Sequence, residues 1–158
     1  MERKPWKTYA LWIGLAEAAG VISGLISREG TKLYARSVDK PPLAPPGIVF
    51  PIVWTILFAL MGIGAARVRL CQPGRERARA TRVFFIQLAV NFLWSPIFFN
   101  LQAYALAFYW LLLLWALIWA MIARFSRVDR LAGRLQIPYL LWVTFAGYLN
   151  LGVWLLNR

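Results

Sequence analysis

Five apolar segments, each near the ~20 residues a helix needs to cross the hydrocarbon core of a bilayer, dominate this chain. They are Thr8–Ile26, Ile48–Ala66, Val83–Leu101, Ala103–Ala123 and Gln136–Leu156, and Glu17 is the one formal charge inside any of them. In lipid every backbone N–H and C=O must find its partner within the protein, and helices do this with no open edge. The pattern therefore predicts an all-α fold, an integral membrane bundle of five transmembrane helices forming a single domain over residues 1–158.

The charges fall between these segments. The chain has 18 Lys and Arg against 6 Asp and Glu, a net charge of +12, and this excess flanks the apolar runs rather than forming a basic face for nucleic acid. Thirteen of the cations, Arg3, Lys4, Lys7, Arg67, Arg69, Arg75, Arg77, Arg79, Arg82, Arg124, Arg127, Arg130 and Arg134, share one side if the segments alternate; Arg28, Lys32, Arg36, Lys40 and Arg158 fall on the other. The positive-inside rule then puts the N-terminus in the cytoplasm and the C-terminus outside. The first apolar run is as long as a full span and lacks a small-residue cleavage site, so no cleavable signal peptide is expected and the bacterial cytoplasmic membrane is the expected location. With no His and a single Cys71, the chain offers no internal disulfide and no Cys/His metal cluster. No catalytic triad is visible either.

Polar side chains at membrane depth need partners, and they concentrate in Gln87–Phe99, QLAVNFLWSPIFF. Gln87, Asn91 and Trp94 share one helical face. Two readings are open: an interhelical hydrogen-bond contact, or the wall of a ligand cavity. Pro51, Trp54 and Phe58 form a second stripe, and Tyr139, Trp142, Ala146 and Asn150 a third, with Ala146 beside Trp142 leaving room for something flat. Core packing or an interfacial aromatic belt would account for such stripes, but Trp54 and Trp142 lie several residues inside their segments rather than at the ends. Gly20 and Gly24, with Gly14 and Ala18, make a small-residue pattern on the first segment that serves either packing within the bundle or a homodimer. Glu17 is a neutral buried acid, a partner for an arginine, or a ligand or proton site. The Asn100–Gln102 turn is short enough to make its two helices antiparallel neighbours, whereas Ser27–Gly47 is a long loop whose KPPLAPPG end is stiff, either a lid or a surface connection.

Three stretches together resemble the TspO/MBR family, the tryptophan-rich sensory proteins and translocator proteins: Lys40–Phe58 (KPPLAPPGIVFPIVWTILF), Gln87–Phe99, and Pro138–Asn150 (PYLLWVTFAGYLN), with MGIG at Met61–Gly64 in addition. The resemblance implies a five-helix bundle, commonly a homodimer, whose cavity under the first loop takes porphyrins, haem and hydrophobic drug-like ligands. Carried over, it implies ligand contacts from Trp54, Trp94, Trp142, Asn91, Pro45 and Ala146, and the stripes add Gln87, Phe58 and Tyr139. No obligatory cofactor is implied; porphyrin or haem would be a ligand, and with no His to ligate iron, Tyr, Met or a weak side-on mode would have to serve, so binding through the macrocycle is expected rather than strong axial ligation. The implied function is a tetrapyrrole-binding receptor or sensor, with a transporter of lipophiles or a tryptophan-dependent porphyrin-degrading enzyme as the alternatives. The chain departs from the family at Leu43, where the loop usually carries Trp, and around Leu33–Ala35, where it commonly has a Trp-Tyr pair. It also lacks a Tyr followed closely by Lys or Arg after the fifth segment, so no sterol motif is expected.

Overall fold

The computed structural model describes residues 4–158, so Arg3, counted above, lies outside the described residues. The elements run α1 (Pro5–Ile26), α2 (Arg28–Ser37), α3 (Val49–Leu70), α4 (Arg75–Ser95, continued by a π-helical turn over Pro96–Asn100), α5 (Tyr104–Val128), α6 (Arg130–Arg134) and α7 (Ile137–Leu156), with no strand among the described residues. Five of them, α1, α3, α4, α5 and α7, are long and apolar enough to cross a membrane. All five expected spans are present. Several helices run past the expected ends: α4 begins at Arg75 rather than Val83, and α3 and α5 continue to Leu70 and Val128. Hydropathy marks the part of a helix that sits in hydrocarbon, whereas RERARATR at the head of α4 is polar but rich in good helix formers.

The connection Ser27–Gly47 is not a loop throughout, as expected from sequence; its first half is α2. This helix is too polar to register as an apolar run, and Glu29 in its first turn and Arg36 in its last complement the helix dipole. Gly30 lets α2 approach the π-helical turn, because a Cβ there would meet the Phe99 carbonyl and the Asn100 side chain.

Packing runs round a ring. The helix α1 lies along α3 and also touches α4, α4 lies along α5, and α5 lies along α7. The ring closes between α3 and α7 through aromatic side chains, Trp54 on Tyr139 and Phe50 on Trp142, rather than through close backbones. Met61, Phe84, Ile118, Met121, Phe125 and Tyr139 fill the half of the bundle nearer the α3–α4 connection and are fully buried. The other half has a smaller cluster around Phe98, Ala107 and Val153 and is otherwise hollow.

The MGIG stretch explains the tight α1–α3 seam. A Cβ on Gly62 would collide with the Ile13 backbone, and one on Gly64 would collide with the buried Gln136 amide, whose Nε2 donates to the Leu60 and Ala132 carbonyls (3.1 and 3.3 Å). Gly20 of α1 is used within the bundle as well, since Phe58 occupies the place of its missing side chain. Gly62→Ala should therefore push α1 off α3 and cost about 1–3 kcal/mol, lowering the thermal unfolding midpoint in detergent. Gly147→Ala, whose new methyl would meet only Leu111 at 3.9 Å, should leave that midpoint unchanged or raise it.

Candidate functional site

The hollow half holds a cavity of about 860 Å³, bounded by α1, α3, α4 and α7 and covered by α2 and the proline-rich loop. Its origin is local. Pro96 has no N–H to give to the Phe92 carbonyl, so the ladder of α4 is broken at that point. The Ser23 hydroxyl of α1 donates to that freed carbonyl at 2.7 Å. Beyond Pro96 the chain winds wider, Leu101 N donating to Pro96 O five residues back, and this turn projects Phe98 and Phe99 against Tyr34 of α2 (centroids 5.4 and 5.3 Å). Asn100 Nδ2 adds a bond to the Ile26 carbonyl at the α1–α2 junction. Burial, with Tyr104 as the smaller cause, holds the Tyr34 phenol above its ordinary pKa, so it stays neutral in this contact.

The far end of the cover is fastened to α7. Asp39 and Asn157 exchange two bonds, Asp39 N donating to Asn157 Oδ1 at 3.0 Å and Asn157 Nδ2 to the Asp39 carbonyl at 2.8 Å. The Tyr148 hydroxyl donates to Pro42 O at 2.7 Å, and the buried Pro41 sits where Gly152 has no side chain. Lys40 Nζ donates to the carbonyls of Tyr34 and Val38 and lies 4.8 Å from the Tyr34 ring centre, bracing the turn out of α2. The segment is a strapped cover over the cavity, and Pro45 forms part of its inner surface.

Seven of the nine expected site residues, Pro45, Trp54, Phe58, Asn91, Trp94, Trp142 and Ala146, line this one cavity. Gln87 and Tyr139 do not. They lie behind Asn91, completely buried: Asn91 Nδ2 donates to the Tyr139 hydroxyl, that hydroxyl donates to Gln87 Oε1 at 2.9 Å, and Gln87 Nε2 points to Met61 Sδ at 3.6 Å. On the Gln87–Asn91 face, Gln87 thus makes an interhelical contact, and Asn91, one turn on, both joins that contact and borders the cavity. With one amide hydrogen given to Tyr139, Asn91 keeps its second N–H and Oδ1 as polar capacity beside the cavity.

The three tryptophans differ. Trp94 is fixed by Nε1 to Asn150 Oδ1 (3.2 Å), while Asn150 Nδ2 holds Tyr104 O (2.9 Å), and its ring stacks on Phe98 at 4.9 Å. Trp54 lies against Phe58 and Tyr139. Trp142 is held edge-on by Phe50 at 5.8 Å and its indole N–H is buried with no acceptor. Its other side borders a cleft of about 420 Å³ between the outer faces of α3 and α7, lined by apolar residues such as Ile56 and Leu141.

Sequence reasoning missed the cover's inner face, where Arg28, Thr31, Lys32 and Tyr34 line the cavity, because a polar helix leaves no hydropathy signal. It also missed Phe98 and Ser23. Asn150 lay on the Trp142 stripe and could have been included. Glu17 lines the cavity from α1, which places it with a cavity rather than against an arginine. Among the described residues no group of three His, Cys, Asp or Glu could hold a metal ion.

Known proteins are similar to this chain in sequence. A TspO/MBR family model matches residues 12–155. Protein CrtK of Rhodobacter capsulatus is 44% identical over 150 residues, 94% of this chain and 92% of the relative. Tryptophan-rich protein TspO of Chlorobaculum tepidum is 38% identical over 151 residues, covering 95% of this chain and 96% of its own. The Translocator protein of Bos taurus is 31% identical over 157 residues, with 98% and 92% covered.

The buried chain of bonds behind the floor yields a direct test. Tyr139→Phe keeps the ring but strands Gln87 Oε1 and Asn91 Nδ2, so it should lower stability by about 1–3 kcal/mol, read as a lower unfolding midpoint in detergent.

Proposed function

The chain belongs to the TspO/MBR family, and from that premise we propose that it is an integral membrane receptor or sensor that binds tetrapyrroles, and hydrophobic drug-like molecules of similar size, in the cavity under α2. The observation that carries this reading is the convergence of Trp54, Trp94 and Trp142 with Asn91 on one largely apolar space of about 860 Å³. That volume lies at the upper end of small-molecule pockets, which combine apolar walls with a few placed polar groups. Flat aromatic ligands gain from stacking on indole faces. Ala146 leaves the α7 wall low beside Trp142, and the orphaned Trp142 N–H is a donor that a ligand acceptor could satisfy after a small turn of the ring.

With no His in the chain, binding runs through the macrocycle, so metal-free protoporphyrin and haem bind about equally. The same reading takes the chain as a homodimer in a bacterial cytoplasmic membrane, N-terminus inside. Porphyrin transport is a secondary reading, favoured by the position of Trp142 as the partition between cavity and outer cleft. Trp54 and Trp142 are the residues on which photochemical porphyrin breakdown would depend.

Titration with protoporphyrin IX in detergent, followed by tryptophan fluorescence, tests the reading. Saturable quenching at micromolar ligand or below is expected, weakened about tenfold in Trp142→Phe. Quenching that never saturates and ignores the substitution would mean partition into the micelle and would overturn the reading.

A further inference from the structure

Charge in the cavity is divided by depth. The exposed lining residues Val21 and Gly24 of α1, Arg28, Thr31 and Lys32 of α2, and Pro51 and Thr55 of α3 border a mouth between the outer ends of α1 and α3, while the other exposed lining residues, Ala35, Lys40, Pro46 and Gly47, belong to the cover. Two cations stand at this mouth. Arg28 and Lys32 are four residues apart on α2 and so share the face turned to the opening. No carboxylate among the described residues pairs with Arg28, and Lys32 holds only the exposed Glu29 at 3.2 Å, a contact worth little in water. Lys40 also borders the cavity but its ammonium is already spent on two carbonyls. The one acid of the lining, Glu17, lies seven residues below Gly24, about 10 Å further down the helix axis. An amphiphile entering this cavity meets cations at the rim and an acid within.

We propose that Arg28 and Lys32 form a carboxylate-binding rim that selects flat apolar ligands bearing acidic side arms and fixes their orientation, arms at the mouth and ring among the tryptophans. The proposal rests on the tetrapyrrole reading and adds to it which tetrapyrroles are taken and which way round. A guanidinium offers a fork of N–H donors that matches a carboxylate, and an ammonium one turn away takes a second acid. Glu17 disfavours the inverted pose, because it would bring like charges together. Neutral ligands of the same shape use the aromatic walls alone.

The test compares protoporphyrin IX, which carries two carboxylates, with its dimethyl ester, in a non-ionic detergent. Wild type should bind the diacid about tenfold more tightly than the ester, and raising salt should narrow the gap. The Arg28→Gln/Lys32→Gln double variant should lose about tenfold in diacid affinity and keep its ester affinity; both side chains are exposed, and unchanged ester binding reports that the cavity is intact. Glu29→Gln, which frees Lys32, should strengthen diacid binding alone. Equal affinity of wild type for diacid and ester, or equal losses for both in the double variant, would overturn the rim while leaving the tetrapyrrole reading in place. Failure of both porphyrins to bind saturably would overturn the two together.

Discussion

A polar atom in hydrocarbon has no water to fall back on, and the cost of leaving one unpaired governs this molecule from its centre outward. The Asn91–Tyr139–Gln87 chain meets that constraint by pairing α4 with α7 at mid-depth, where the two helices do not otherwise pack closely. Below it the five helices interdigitate into a solid core around Met61, Phe84 and Phe125. Above it α1, α3, α4 and α7 stand round the cavity, and the packing that remains is a smaller cluster of Phe98, Ala107 and Val153 on the α5 side. The network is thus the floor that divides packed bundle from cavity, with Asn91 bordering the open space.

The same constraint explains the cover. Pro96 removes an N–H, the freed Phe92 carbonyl is taken by Ser23, and the wider turn that follows carries Phe98 and Phe99 up to Tyr34. One proline therefore links α1, α4 and α2 and sets the roof height. At the other end Asp39, Pro42 and the α7 residues Tyr148 and Asn157 tie the strap down. With the cover bonded at both ends, the mouth between α1 and α3 lies beneath the cations of α2, so that the proposed route of entry and the proposed preference for acidic ligands would have a common structural cause.

The five spans were legible because hydrocarbon demands long apolar runs, and the cavity tryptophans were legible because Trp54 and Trp142 sit too deep for an interfacial belt. Gln87 and Tyr139 were read onto the right face but one layer too shallow, since periodicity gives direction around a helix and not depth behind it. The role of MGIG is steric, and only the approach of Ile13 and the Gln136 amide explains it. What was hidden was α2. Its polar sequence gives no apolar run, and its position follows from Gly30 meeting the Phe99 carbonyl, a contact between residues that no local pattern connects.

The most direct measurement of the central claim is the structure of the chain in lipid with protoporphyrin IX bound. The macrocycle is expected within the cavity, its plane against Trp54 and Trp142, one edge toward Asn91 and its carboxylates toward Arg28 and Lys32. A macrocycle found on the outer surface of the helices, with the cavity and the Asn91–Tyr139–Gln87 chain unchanged, would contradict the account.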